Sequence, residues 1–155
     1  MSQVYIERQI SLDELPSDTQ IEQWISAVLN DQQRNGDIAV QILSADEIRV
    51  LNRDYRAKDK ATNVLSFPAE APPGLPVEMF DELGDLFVCA EVVSEEAQAQ
   101  NKHLHDHWAH MIIHGTLHLL GYDHIDAEEA EEMEAIERKI LATFGISDPY
   151  FVEKL

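Results

Sequence analysis

The stretch His114-Gly115-Thr116-Leu117-His118-Leu119-Leu120-Gly121-Tyr122-Asp123-His124 constrains this chain more than any other. His114 and His118 stand four residues apart in an apolar run that reads as helix, so both imidazoles project from one face, about one turn apart. Gly121 can adopt the left-handed backbone that ends a helix and lets the chain double back. His124 can then arrive as a third nitrogen from outside the helix. Three histidines leave one position on a tetrahedral zinc open, which distinguishes a catalytic site from a closed, four-ligand structural one. His110 offers a rival triad with His114 and His118. Eight residues of helix rise about 12 Å, too far for His110 and His118 to share an ion, so His110 is expected behind the ligands or in the core.

At 155 residues the chain is expected to form a single domain, 1–155, large enough for a real core. A hydrophobic content of 45% beside 26% charged residues is that of a globular protein. The N-terminus, MSQVYIERQI, has neither the basic region nor the apolar core of a signal peptide, and no apolar run approaches membrane-spanning length. The single cysteine, Cys89, cannot form an internal disulfide. A cytoplasmic protein with no membrane partner is therefore expected. The net charge of −19 argues against a general nucleic-acid binder, because affinity for phosphate comes from Lys and Arg displacing counterions. A polyanionic substrate must meet a local patch. Arg49, Arg53, Arg56, Lys58 and Lys60 supply one, and on a helix the three arginines fall within an arc of about 60°. Arg suits phosphate because its planar fork engages two oxygens at once. Arg56, next to the helix end and the following strand, stands out.

The order of elements follows from periodicity and punctuation. Val4 to Ile10 alternates as a first strand, and Pro16-Ser17-Asp18 opens a helix whose inner face is Ile21, Trp24, Ile25, Val28 and Leu29. A second strand runs from Ile38 to Leu43, and Ser44 to Glu47 fits a capping box that starts a second helix with Ile48, Leu51 and Tyr55 on its apolar face. Thr62 to Phe67 is a third strand, stopped by Pro68, and Leu83 to Val93 holds a fourth. The proline-rich segment from Ala69 to Glu82 is a long loop. A short polar helix follows from Ser94 to about Asn101, then the central helix from about Asp106 to Leu120. The last helix, about Asp126 to Phe144, carries Ala130, Met133, Ile136, Ile140 and Leu141 inward. Its acidic residues from Asp126 to Glu137 read as a solvated face. Strands early and helices late imply an α+β domain: a small mixed four-stranded β-sheet, about five helices, and a central helix bearing the metal-binding histidines.

The run from His114 to His124 resembles the signature of the YbeY family, the bacterial rRNA maturation endoribonucleases. Upstream, Leu51-Asn-Arg-Asp-Tyr55-Arg56-Ala-Lys-Asp-Lys-Ala-Thr62-Asn-Val-Leu-Ser-Phe-Pro68 resembles that family's second signature, and Leu83-Gly84-Asp85-Leu86 and Ala109-His110 also fit. The resemblance implies a metal-dependent hydrolase: a single-strand endoribonuclease acting in 16S rRNA 3′-end maturation and ribosome quality control. It further implies rRNA and the small ribosomal subunit as partners, with no DNA. By the same resemblance His114, His118 and His124 are the metal ligands and Arg56 the functional arginine, so that Arg56 and His114 are the expected catalytic residues. Arg49 and Arg53 join Arg56 as expected substrate contacts. One zinc per chain is the expected cofactor, with nickel or another divalent metal as the alternative. His103 and His105 lie outside the motifs and read as surface residues.

Two other functions fit parts of the pattern. The His-x3-His-x2-Gly-x2-His spacing is shared with zinc proteases, whose Glu beside the first His activates water. Here that position is Gly115, so a protease would need its base elsewhere, at Asp85 or Asp123. Alternatively, a ribosome-associated factor without catalytic activity could use the metal to staple helix to turn.

Overall fold

The computed structural model describes residues 3–8, 15–70, 72–75, 81–123 and 126–150. Nine elements follow in chain order: β1 (Val4–Arg8), α1 (Asp18–Gln32), β2 (Asp37–Leu43), α2 (Ala45–Arg56), β3 (Val64–Pro68), β4 (Glu82–Cys89), α3 (Ala90–Ala99), α4 (Leu104–Leu119) and α5 (Ala127–Thr143). The strands form one sheet in the order β1-β2-β4-β3; the β1–β2 and β2–β4 pairs are parallel and β3 runs antiparallel to β4. The expected mixed four-stranded sheet with its five helices is therefore present.

Capping and burial account for where the helices start. Ser17 caps α1 and exchanges hydrogen bonds with Gln20, while Ser44 and Glu47 do the same for α2, so both capping boxes are formed. The inner face of α1 is buried as the periodicity requires: Ile21, Trp24, Ile25, Val28 and Leu29 join Ile38, Val40 and Ile42 of β2 in the main core. Leu86 and Val88 of β4 extend that face under α4. Helix α4 buries residues on nearly all its sides, as a helix sandwiched in a core must. Gly115 brings it down onto the sheet: a Cβ there would lie 2.9 Å from Leu86 Cδ2 and 3.1 Å from Val64 Cγ2. The opposite sheet face is covered by α2 through a smaller cluster around Leu43, Ile48, Leu65 and Cys89. Cys89 is fully buried, as expected of a small hydrophobe. Among the described residues no helix is long and apolar enough to cross a membrane.

Three expectations need correction. The fourth strand stops at Cys89 instead of Val93, and Ala90–Val93 opens α3. Cys89 is paired with Leu43, the last residue of β2; beyond it no strand remains to receive the backbone, so the chain satisfies its own hydrogen bonds as helix. On α2, Tyr55 is 69% exposed, and Asn52 takes the buried place, donating from Nδ2 to Lys60 O at 2.9 Å. The last turn of α2 leaves Tyr55 at the surface, in a T-shaped contact with Phe67 of the edge strand β3, with ring centroids 5.5 Å apart. Glu137 of α5 is not on the solvated face; it is completely buried. Gln9 and Ile10 of the first expected strand, and residues 71 and 76–80 of the long loop, lie outside the described residues.

Candidate metal centre and its cleft

Helix α4 sets His110, His114 and His118 on successive turns. The His110 and His114 rings are 6.0 Å apart and those of His114 and His118 4.6 Å. Gly121, at φ +102°, ends the helix: its N–H bonds His118 O at 3.0 Å and the Tyr122 N–H bonds Leu117 O at 3.1 Å, the paired closure of a Schellman turn. The same reversal brings Tyr122 O to His118, whose Nδ1 donates to it at 2.8 Å. His114 Nδ1 likewise donates to Glu137 Oε1 at 3.0 Å. With both Nδ1 atoms serving as donors, both Nε2 atoms carry lone pairs, and these face each other at 3.1 Å. Two nitrogens at about 2.0–2.1 Å from one tetrahedral ion sit roughly 3.3 Å apart, so the imidazole pair fits a metal. His124, the third expected ligand, lies outside the described residues.

Behind His114 lies a group that the sequence reading missed. Glu137 has no exposed surface, yet burial, which alone would raise its carboxyl, is outweighed by hydrogen bonds from His110 and His114 that hold it at about 2. Its Oε2 takes His110 Nε2 at 2.5 Å and the Tyr150 hydroxyl at 2.7 Å. A carboxylate behind a ligating imidazole fixes the ring's tautomer and raises its basicity. His110, Glu137 and His114 also bring ligand atoms within 4.8 Å of one another and could hold an ion themselves. At 2.5 Å, however, the His110–Glu137 contact is shorter than the roughly 3.3 Å between ligands of one zinc, so the pair as placed is hydrogen-bonded. His110 is thus buried and bound to Glu137, on the side of His114 away from His118. Glu137 did leave a signal in the sequence: it lies four residues from both Met133 and Leu141 and shares their apolar stripe.

His114 and His118 line a cleft of about 930 Å³ together with Arg56, Lys58, Lys60 and Asn63. Arg56, the last residue of α2, donates from Nη2 to Ser66 O at 2.8 Å and lies over the Phe67 ring at 5.4 Å, so its guanidinium is held at the edge of β3. Ser66 ties β3 to α4 through a 2.9 Å hydrogen bond from its hydroxyl to Gly115 O. Lys58 and Lys60 form no ion pair with any described residue. Arg49 and Arg53 are placed elsewhere: Arg49 pairs with Asp59 at 2.8 Å and Arg53 with Asp54 at 3.0 Å, and neither lines the cleft. His103 and His105 occupy the exposed start of α4, where His105 meets Gln20.

The family model described as Endoribonuclease YbeY matches residues 5–145. The chain belongs to the YbeY endoribonuclease family. A YbeY endoribonuclease of Chromohalobacter salexigens is 57% identical over 152 residues, covering 94% of this chain and 96% of the relative. Another, from Halorhodospira halophila, is 56% identical over 135 residues, covering 87% and 88% respectively. The solution structure of TM1509 from Thermotoga maritima superposes with a TM-score of 0.57 at 25% identity, covering 96% of this chain and 99% of that one. Arg56, His114 and His118 of the cleft lie inside the YbeY match, whereas Tyr150 lies beyond it.

Proposed function

We propose that the chain is a zinc-dependent, single-strand endoribonuclease of the cytoplasm that matures the 16S rRNA 3′ end and takes part in ribosome quality control on the small subunit. As a YbeY family member it is a hydrolase acting on RNA. The observation that carries the finer reading is the shared cleft, lined both by the two converging imidazoles and by a fixed guanidinium. His114 and His118, with His124, would hold the ion, and nickel or another divalent cation suits the same nitrogens. When bound, such a cation acts as a Lewis acid on phosphate or lowers the pKa of water toward 7. Arg56 binds a non-bridging phosphate oxygen and offsets charge that grows in the transition state. Glu137 keeps the His114 proton on Nδ1, so that Nε2 remains a ligand.

Two features weigh against a protease. The position of a protease's glutamate is Gly115, packed so closely against Leu86 and Val64 that even a Cβ would crowd them. The outer edge of β3, against which an extended peptide would add as a strand, is partly taken up by the chain's own groups. The Val64 N–H bonds Asn63 Oδ1 at 2.7 Å, Ser66 O is taken by Arg56, and Pro68 has no N–H.

A defined single-stranded RNA incubated with metal-loaded protein tests the proposal. Cleavage should stop on adding chelator. Arg56→Ala should keep its metal and its melting temperature while losing cleavage by roughly 100-fold or more, as loss of a transition-state donor does. His114→Ala should lose the metal, and one full equivalent retained by elemental analysis would refute the site. Unchanged cleavage by Arg56→Ala would remove the arginine from the mechanism.

A further inference from the structure

We infer that Tyr150, outside the family-matched residues 5–145, is a positioning residue for His114 that acts through Glu137. The inference rests on the metal-ligand reading of His114 given above. Oε1 of Glu137 meets His114 Nδ1 at 3.0 Å, and the imidazole Nε2 is thereby turned toward His118. A carboxylate rotates about its Cγ–Cδ bond, so Oε1 stays in line with that proton only if Oε2 is held as well. Two donors hold it: the Tyr150 hydroxyl at 2.7 Å and His110 Nε2 at 2.5 Å. The Tyr150 oxygen in turn lies 3.0 Å from His110 Nε2, closing a triangle around Oε2. Glu137 has no exposed surface, so a donor lost here is not replaced by bulk water.

The tyrosine ring has its own supports. It packs edge-on against His110, with centroids 5.2 Å apart, and lies under the Arg138 guanidinium at 5.4 Å. Removing only the hydroxyl should therefore leave the ring in place and Oε2 held by His110 alone, without its second donor. The chain's last described residue thus reaches the metal ligand through two hydrogen bonds, from Tyr150 to Glu137 and from His114 to Glu137.

The test compares wild type, Tyr150→Phe, Glu137→Gln and His114→Ala by zinc competition against a chelating dye. Long-range 1H–15N spectra of the histidine rings are recorded on the zinc-free proteins. Tyr150→Phe should weaken zinc about 10-fold, at the low end of the 10–100-fold known for groups that orient metal ligands. It should also mix the two His114 tautomers where wild type holds one. Glu137→Gln should weaken zinc at least as much. Affinity altered by less than about twofold in Tyr150→Phe overturns the inference, as does an unchanged His114 tautomer, which marks the hydroxyl as packing alone. Full zinc affinity in His114→Ala would instead overturn the metal-site reading itself, so the two failures are distinguishable.

Discussion

A carboxylate cut off from water stays ionised only where donors surround it, and Glu137 has three: His110, His114 and Tyr150. The sign of its acid response follows. Its carboxyl sits at about 2 in the folded protein against 4.5 as a free side chain, so the unfolded chain binds the proton more readily. The stability this group contributes is complete above pH 4.5 and is lost as pH falls from there toward 2. Melting of metal-free protein should place Glu137→Gln below wild type at neutral pH, with the gap closing through that window; a gap independent of pH would contradict the ionised assignment. At this scale the sequence was legible where chemistry is rare. The spacing of His114 and His118 and the arginine beside a helix end can be read directly. Glu137 was not, because among the glutamates of α5 only its register with Met133 and Leu141 distinguishes it.

Among the elements, α4 is the one pressed onto the sheet at a glycine. Its backbone approaches β3 and β4 at Gly115, where an added Cβ would come within 2.9 Å of Leu86, 3.1 Å of Val64 and 3.3 Å of Ser66. Gly115→Ala should destabilise by roughly 1–3 kcal/mol, the usual consequence of overpacking, and should also weaken metal binding because His114 is the preceding residue. Thermal melts with and without zinc check both effects, and a neutral variant would show that the helix has room to lift. Helix starts were readable from Ser17 and Ser44, since a capping box is local chemistry. The end of β4 was not: Val92 and Val93 are β-branched and read as strand, yet the lack of a neighbour beyond Leu43 decides the matter. Tyr55 fails for a related reason, because periodicity gives a residue's side of a helix but not where the surface beneath that side stops.

For the molecule as a whole, 30 acidic against 11 basic residues yield a net charge of −19, so RNA can be welcomed only locally. Pairing divides the cations: Arg49 and Arg53 are matched by neighbouring carboxylates, whereas Arg56, Lys58 and Lys60 face the cleft. With three phosphates met there, binding of single-stranded RNA should fall with salt at a slope of about −2 on logarithmic axes, roughly 0.7 per contact. Titrations between low and moderate salt measure it, and a slope near −5 would mean a far wider footprint. The fold class was readable from the order of strands and helices, but the strand order β1-β2-β4-β3 was not, because pairing partners are distant in the chain.

The ring-bearing helix and the carboxylate that steadies it belong to different elements, α4 and α5. Should α5 detach in a local opening, the imidazole pair would lose its anchor while the sheet stayed closed. An ion held by those rings would therefore be thermodynamically linked to the docking of α5, each resisting the departure of the other.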